Sequence, residues 1–473
     1  MNPVPPMLNL RRPIDSVSGF LLIISVILVI CAEWGGDDRL YLAGGTGIFI
    51  AVALLIPTAG LSRQLFVLVG LTLALIAIGT REDWPHLLRP AVQNASFVPA
   101  FFLALASLRN AASTSDMMER CGRFLADQPA NQRYFALSMG GHLFGIALSY
   151  GSISLLGSLA VQGTRHMQDD TLRSNLMKRM LLAVQRGFLA MTAWSPLTFS
   201  LAITTSIIAG SSWSGAVGGC IITAVILITL GWIFDVAPSR ISKNIEEIKP
   251  NLDDTWSVTW PLIILLAMLF AGITAMQILS GVRAVSVALV AVPLISLGWI
   301  AAQGWHRRGG PIVYTTERAL KYIMIDTPNY RSELVLLIMA AFIGTTASGL
   351  LAPFVAGGSN FSIIPGWLVL VMLVWLMPIT GQLAMNPILA IHLIAPLLPD
   401  ATVLGVSPDA IIVALTAGWA LSGVSSPYTA STLLLAALGR VTALEAGPKW
   451  NGLYTIAGCT ILSAWVVIYS YLT

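Results

Sequence analysis

The chain has 473 residues, of which 56% are hydrophobic and only 10% charged, and its mean hydropathy is +0.80. Soluble proteins carry about 25% charged residues, whereas here apolar runs of the roughly 17–25 residues that cross a bilayer as a helix recur throughout, which excludes a soluble enzyme. The net charge of +4 comes from basic residues in short connecting loops and points to no nucleic-acid partner, and Cys31, Cys121, Cys220 and Cys459 lie far apart without CxxC or Cys/His spacing, so neither a disulfide framework nor a zinc site is indicated.

In chain order, the first apolar run is 17–32, preceded by Arg11 and Arg12. It ends in Ile30-Cys31-Ala32-Glu33 without a small-x-small cleavage site and reads as an uncleaved leading helix within 1–39. Spans follow at 40–57, 64–80 and 91–108, then a basic, polar stretch at 109–132. The apolar segment 133–162 is interrupted by Ser149-Tyr150-Gly151-Ser152, and its arms are each too short to cross, so a re-entrant hairpin is expected. A charged loop at 163–183 leads to 184–210, interrupted by Thr192-Ala193-Trp194-Ser195-Pro196-Leu197-Thr198, and then to 214–235.

A polar linker at 237–258, holding Pro238 and Pro250, opens the second half. Its spans are 259–280, 284–302 and 333–356. The segment 363–398 is interrupted by Pro378-Ile379-Thr380-Gly381-Gln382 and reads as a second hairpin. Last come 408–438, interrupted by Ser422-Gly423-Val424-Ser425-Ser426-Pro427-Tyr428-Thr429, and 450–471. Each half, 40–236 and 259–473, thus runs three spans, hairpin, broken helix, span, and both breaks carry Ser-Pro-x-Thr. Proline removes a backbone donor and clashes with the preceding turn, and in hydrocarbon the freed groups survive only where they face protein or a wet cavity. Gly-rich stretches such as Ala43-Gly44-Gly45-Thr46-Gly47 lie inside spans and read as helix-packing surfaces.

Cytoplasmic loops collect Lys and Arg. With the N-terminus inside and both hairpins re-entrant, 22 of the 26 basic residues fall in inner segments, and only Arg39, Arg81, Arg89 and Arg283 fall outside. Treating 133–162 as a full crossing destroys that separation. The same topology gives the two halves opposite orientation. The expected fold is therefore an all-α polytopic membrane protein of about eleven transmembrane helices and two opposed re-entrant hairpins, in two inverted-topology repeats.

Leu148-Ser149-Tyr150-Gly151-Ser152 and Thr380-Gly381-Gln382 at the hairpin tips, with Ser195-Pro196-Leu197-Thr198 and Ser426-Pro427-Tyr428-Thr429 at the breaks, give the chain after residue 40 a pattern that resembles the ion transporter superfamily. That superfamily comprises elevator-type carriers and includes the divalent anion/sodium symporters. The resemblance implies eleven spans, opposed hairpins with Ser-Asn-Thr-type tips, and Thr-Pro breaks. Tyr150 and Gln382 stand where the symporters have tip asparagines that help bind sodium and carboxylate.

Tips and breaks are expected to meet near the bilayer midplane, where half-helix N-termini suit an anion and freed carbonyls a cation. The candidate binding residues are Ser149, Tyr150, Ser152, Ser195, Thr198, Thr380, Gln382, Asn386, Ser426 and Thr429. A competing explanation is that these hydroxyls only cap exposed backbone, and Asn386 only the second arm of its hairpin. His142 and His392, one on each hairpin, are candidates to carry a coupling proton, against the plainer role of neutral histidines bonded to backbone. Arg186, ahead of the first break, reads as an anchor at the cytoplasmic surface, with a reach toward an anion as the alternative. Together these features describe a secondary active transporter of a small anionic or zwitterionic organic solute in the inner membrane, coupled to H+ or Na+, with no cofactor or metal, its hairpins and broken helices mobile and its spans 40–108 and 259–356 forming a static scaffold and homodimer interface. The alternatives are a membrane-embedded enzyme acting on a lipid-linked substrate, which needs clustered acids or histidines, and an uncoupled channel or permease subunit.

Overall fold

A computed structural model describes residues 13–165, 167–239, 255–305, 307, 309–358 and 364–473. Arg11, Arg12, the basic residues of 240–249, Pro250 and Asn360-Phe361-Ser362, a three-residue match to the N-glycosylation sequon, lie outside the described residues.

The described chain is helical and contains no strand. The first half comprises α1 (Pro13–Glu33), α2 (Asp38–Leu55), α3 (Leu61–Thr80), α4 (Trp84–Ala112), α5 (Asp116–Ala126), α6 (Ala130–Leu148), α7 (Gly151–Gly163), α8 (Asp170–Thr192), α9 (Phe199–Ile207) and α10 (Trp213–Ser239). The second comprises α11 (Trp260–Ser280), α12 (Ala284–Gly304), α13 (Gly310–Lys321), α14 (Thr327–Asn329), α15 (Arg331–Gly358), α16 (Gly366–Gln382), α17 (Pro387–Ile394), α18 (Ala401–Leu404), α19 (Pro408–Ser425), α20 (Ala430–Gly439) and α21 (Trp450–Leu472). Ten stretches of described helix are long and apolar enough to cross a membrane, α19 and α20 counting as one. The remaining expected span, 184–210, is the broken pair α8–α9. The chain is an all-helical polytopic membrane protein.

The charged loop expected at 163–183 is largely helical, and so is part of the basic, polar stretch 109–132. Within 163–183, Asp169 caps α8 by accepting from the amides of Thr171 and Leu172 at 2.8 and 3.0 Å, and Leu176 and Met180 supply the buried face one turn apart. The helix therefore starts fourteen residues before 184. Within 109–132, α5 turns Met118, Cys121 and Leu125 inward.

The chain forms two compact units, Met1–Asn110 with Leu289–Leu350, and Ala111–Ala288 with Leu351–Thr473. In the first, polar pairs tie distant helices: Asn94 Nδ2 donates to Thr345 Oγ1 at 3.1 Å and Ser107 Oγ to Ser296 Oγ at 3.2 Å. Asn94 belongs to the sequon Asn94-Ala95-Ser96, and its amide is spent inside a span. At the end of α4, Asn110 donates to Asp326 at 2.8 Å and accepts from Arg318 at 2.6 Å, beside a π-helical turn at Tyr322–Asp326.

The second unit holds both hairpins, both breaks and α11. Hairpin α6–α7 packs on α8, and α16 packs on α19 in the same manner. Glycine makes both crossings close: a Cβ at Gly187 would strike the Ser138 backbone, and one at Gly418 would lie 2.9 Å from the Val374 carbonyl. Beyond the breaks the halves interlock, α9 packing on α17 and α19, and α20 on α7 and α8. Leu181 and Leu182 of α8 meet Leu435 and Ala436 of α20 in a buried apolar cluster.

Candidate functional site

Both breaks are built the same way. Pro196 leaves the Thr192 carbonyl without its helical donor, and Pro427 does the same to Gly423. The Thr192 oxygen accepts from Thr198 Oγ1 at 3.3 Å and from Ser200 Oγ. The Gly423 oxygen accepts from Thr429 Oγ1 at 3.1 Å, Ser431 Oγ at 2.7 Å and Thr432 Oγ1 at 3.4 Å. The working motif is thus Ser-Pro-x-Thr-x-Ser, at 195–200 and 426–431. Ser200 and Ser431 were missed in reading the sequence, although both stand at the same offset from their prolines.

The serines before the prolines close the turn by accepting the amides of Leu197 at 3.3 Å and Tyr428 at 3.2 Å. Ser426 also donates to the Gly381 carbonyl of the second hairpin at 2.7 Å. Gln382 Nε2 donates to Ser425 Oγ at 3.3 Å, a second stitch between hairpin and break. The hydroxyl of Thr380 is turned back onto Met377 at 3.0 Å.

The first hairpin turns at Ser149 and Tyr150, between α6 and α7. Ser149 takes φ 51° and ψ −132°, and its carbonyl accepts from Ser152 Oγ at 2.8 Å. Tyr150 is exposed and packs against Phe188 with ring centroids 5.2 Å apart. The second hairpin turns later than 378–382. Helix α16 continues through Pro378 to Gln382, and the tip is Leu383–Asn386, with Ala384 at φ 62°. Thr380 and Gln382 are therefore in the last turn of an arm. Asn386 caps α17 by accepting from the Ile388 amide at 2.8 Å, and Pro387 fills the first helical position.

His392 is buried, and its Nδ1 lies 2.8 Å from the Ile388 carbonyl of its own helix. His142 bonds to Trp194 in the first break.

Arg186 is not a surface anchor. It is buried, its Nε and Nη2 both donate to Asn451 Oδ1 at 3.1 Å, and its guanidinium stands 4.4 Å over the Tyr454 ring. Asn451 Nδ2 donates onward to Gln185 Oε1 at 3.1 Å and to the Val424 and Ala446 carbonyls at 3.2 Å. Gln185 reaches Thr432 Oγ1 at 3.3 Å. This buried lattice ties the first broken helix to the start of the second break. Its signal in sequence was adjacent polar residues, Gln185 and Arg186, inside an apolar run. Two turns before Arg186 on α8, Arg179 grips Asp235 with two bonds of 2.8 and 2.7 Å.

The arrangement offers the exposed ring of Tyr150 and that of Tyr428, and it places the N-termini of α9 and α20 directly after matched breaks. Among the described residues no cluster of His, Cys, Asp or Glu is disposed to hold a metal.

By sequence the chain matches no family model and no characterised protein. By structure it is similar to the YdaH transporter of Alcanivorax borkumensis, noted for an unusual topology, with TM-score 0.59 and 16% identity over 87% of this chain and 98% of that one. It is also similar to MtrF of Neisseria gonorrhoeae, assigned to a class of antimetabolite efflux pumps, with TM-score 0.56 and 13% identity over 89% of this chain and 97% of that one. The chain has the fold of these membrane transporters over nearly the full length of each.

Proposed function

We propose that the chain is a secondary active transporter that moves a small anionic or zwitterionic organic solute across the inner membrane by an elevator-type mechanism, coupled to H+ or Na+, with its N-terminus cytoplasmic. The observation that carries this reading is the pair of proline breaks closed by the same Thr and Ser hydroxyls, in one compact unit together with two helical hairpins. Helix ends at membrane depth are tolerated where they surround a polar cargo, and transporters with this fold support the class. The unit Ala111–Ala288 with Leu351–Thr473 is the natural mover and Met1–Asn110 with Leu289–Leu350 the static part, in keeping with the ion transporter superfamily that the motifs resemble.

The breaks' hydroxyls have two tasks in this reading. Thr198 and Thr429 close freed carbonyls, while Ser195, Ser426, Thr380 and Gln382 border the cargo. Purified protein in proteoliposomes is expected to accumulate such a solute against its gradient when a proton or sodium gradient is imposed. Equilibration without accumulation would indicate a channel instead. Retained uptake after replacing Ser195, Ser426, Thr380 and Gln382 by Ala, one at a time, would remove these residues from the site.

A further inference from the structure

Trp194 belongs to the first break, yet its side chain is held by the first hairpin. The indole Nε1–H donates to His142 Nε2 at 2.9 Å, and the two rings stack with centroids 5.8 Å apart. On its other side the indole stacks on Phe270 of α11 at 5.4 Å, and its backbone carbonyl accepts from Trp213 Nε1 at 3.1 Å. An indole N–H can only donate. His142 Nε2 must therefore present its lone pair, and the single proton of the neutral ring sits on Nδ1. A second proton can enter this ring only at Nε2, the atom that Trp194 already uses.

We infer that His142 and Trp194 form a proton-operated catch between the first hairpin and the first break. Protonation at Nε2 turns an acceptor into a donor and sets two N–H groups head to head, so the indole must leave. Loss of the proton restores the bond. This rests on the transporter reading and deepens it, by naming H+ as the coupling ion and one side-chain pair as the place where its binding meets the break.

His392 has no such arrangement, because the ring atom it uses faces its own helix backbone. Groups able to carry charge around α6 are engaged elsewhere. Arg186 of α8 is turned to Asn451 and Tyr454. Asp235 of α10 is paired with Arg179. Arg133 and Tyr134 sit about two turns back along α6. Helix α5, also packed on α6, pairs its Arg123 with Glu119, and α7 and α11, packed on α6 as well, carry no charged residue. An added proton on His142 thus meets no preset counter-ion, and its main local effect is on Trp194.

The test is the 15N-indole spectrum of the protein in lipid nanodiscs, with the Trp194 resonance identified by its loss in Trp194→Phe. In the unsubstituted protein that resonance should shift across about pH 4 to 8, where a histidine proton exchanges. In His142→Gln, whose amide oxygen still accepts the indole but takes up no proton, the shift with pH should vanish, while in His392→Gln it should persist. A Trp194 resonance indifferent to pH, or one that responds equally in His142→Gln, overturns the inference. Should His142→Gln fail to fold, 15N-histidine spectra of the unsubstituted protein decide the matter, since a proton on Nε2 of neutral His142 is incompatible with the catch. No solute is used, so these outcomes are independent of whether accumulation is found.

Discussion

Asn451 serves four partners from one side chain: the buried Arg186 guanidinium, the Gln185 amide oxygen, and the carbonyls of Val424 and Ala446. Replacing it with the similarly sized Leu leaves a buried cation without its acceptor. Leaving a buried donor unsatisfied costs roughly 1–3 kcal/mol, and more when it is charged, so Asn451→Leu should lower the thermal unfolding midpoint clearly, whereas Asn451→Leu combined with Arg186→Leu should recover much of the loss. Equal midpoints for Asn451→Leu and the unsubstituted protein would show the lattice to be idle. The thiols differ as sharply. Burial pushes Cys121 up to about 12, so little thiolate exists near neutral pH, while Cys31 is exposed. Maleimide at pH 7 is expected to modify Cys31 and spare Cys121 in the folded protein, read by mass spectrometry of the digest.

The broken helices show how far an element can be read from its residues. Proline at 196 and 427 announced each interruption, because the lost donor and the ring clash follow from chemistry alone. Which hydroxyl would close which carbonyl depended on the path of the chain after the break, and only the structure shows Ser200 and Ser431 folded back across it. The double substitution Thr198→Val with Ser200→Ala should leave the Thr192 oxygen bare and cost about 1–3 kcal/mol. Thr429→Val with Ser431→Ala should do less harm, since Thr432 still reaches Gly423. Comparison of unfolding midpoints checks that order. The second hairpin tip was misplaced for a physical reason. Pro378 is tolerated inside α16, and the turn is made where Asn386 and Pro387 can start a new helix and Ala384 can take a positive φ. A positive φ strains a residue with a side chain, so Ala384→Gly and Ser149→Gly should each stabilise their hairpin slightly, visible as slower proteolysis at the tips.

Across the whole chain, the order of apolar segments and of their interruptions was legible, because hydropathy and proline are local properties. The grouping of helices was not. Helix α11 reads as part of the same row of spans as α12 and α15, yet it joins the hairpin unit through Phe270 and Trp194, a contact between residues far apart in sequence. Arg186 was misjudged for the same reason: its acceptor lies in the last helix of the other half. The central claim is that the two breaks and the tips beside them border water. A single experiment reaches it directly: Tyr150→Cys and Tyr428→Cys, each in a background lacking the four native cysteines, treated in proteoliposomes with a charged, membrane-impermeant thiol reagent. Both positions should react, each from an aqueous face, as side chains lining a solute path do. Failure of both to react from either face, as for side chains against lipid, would contradict the claim.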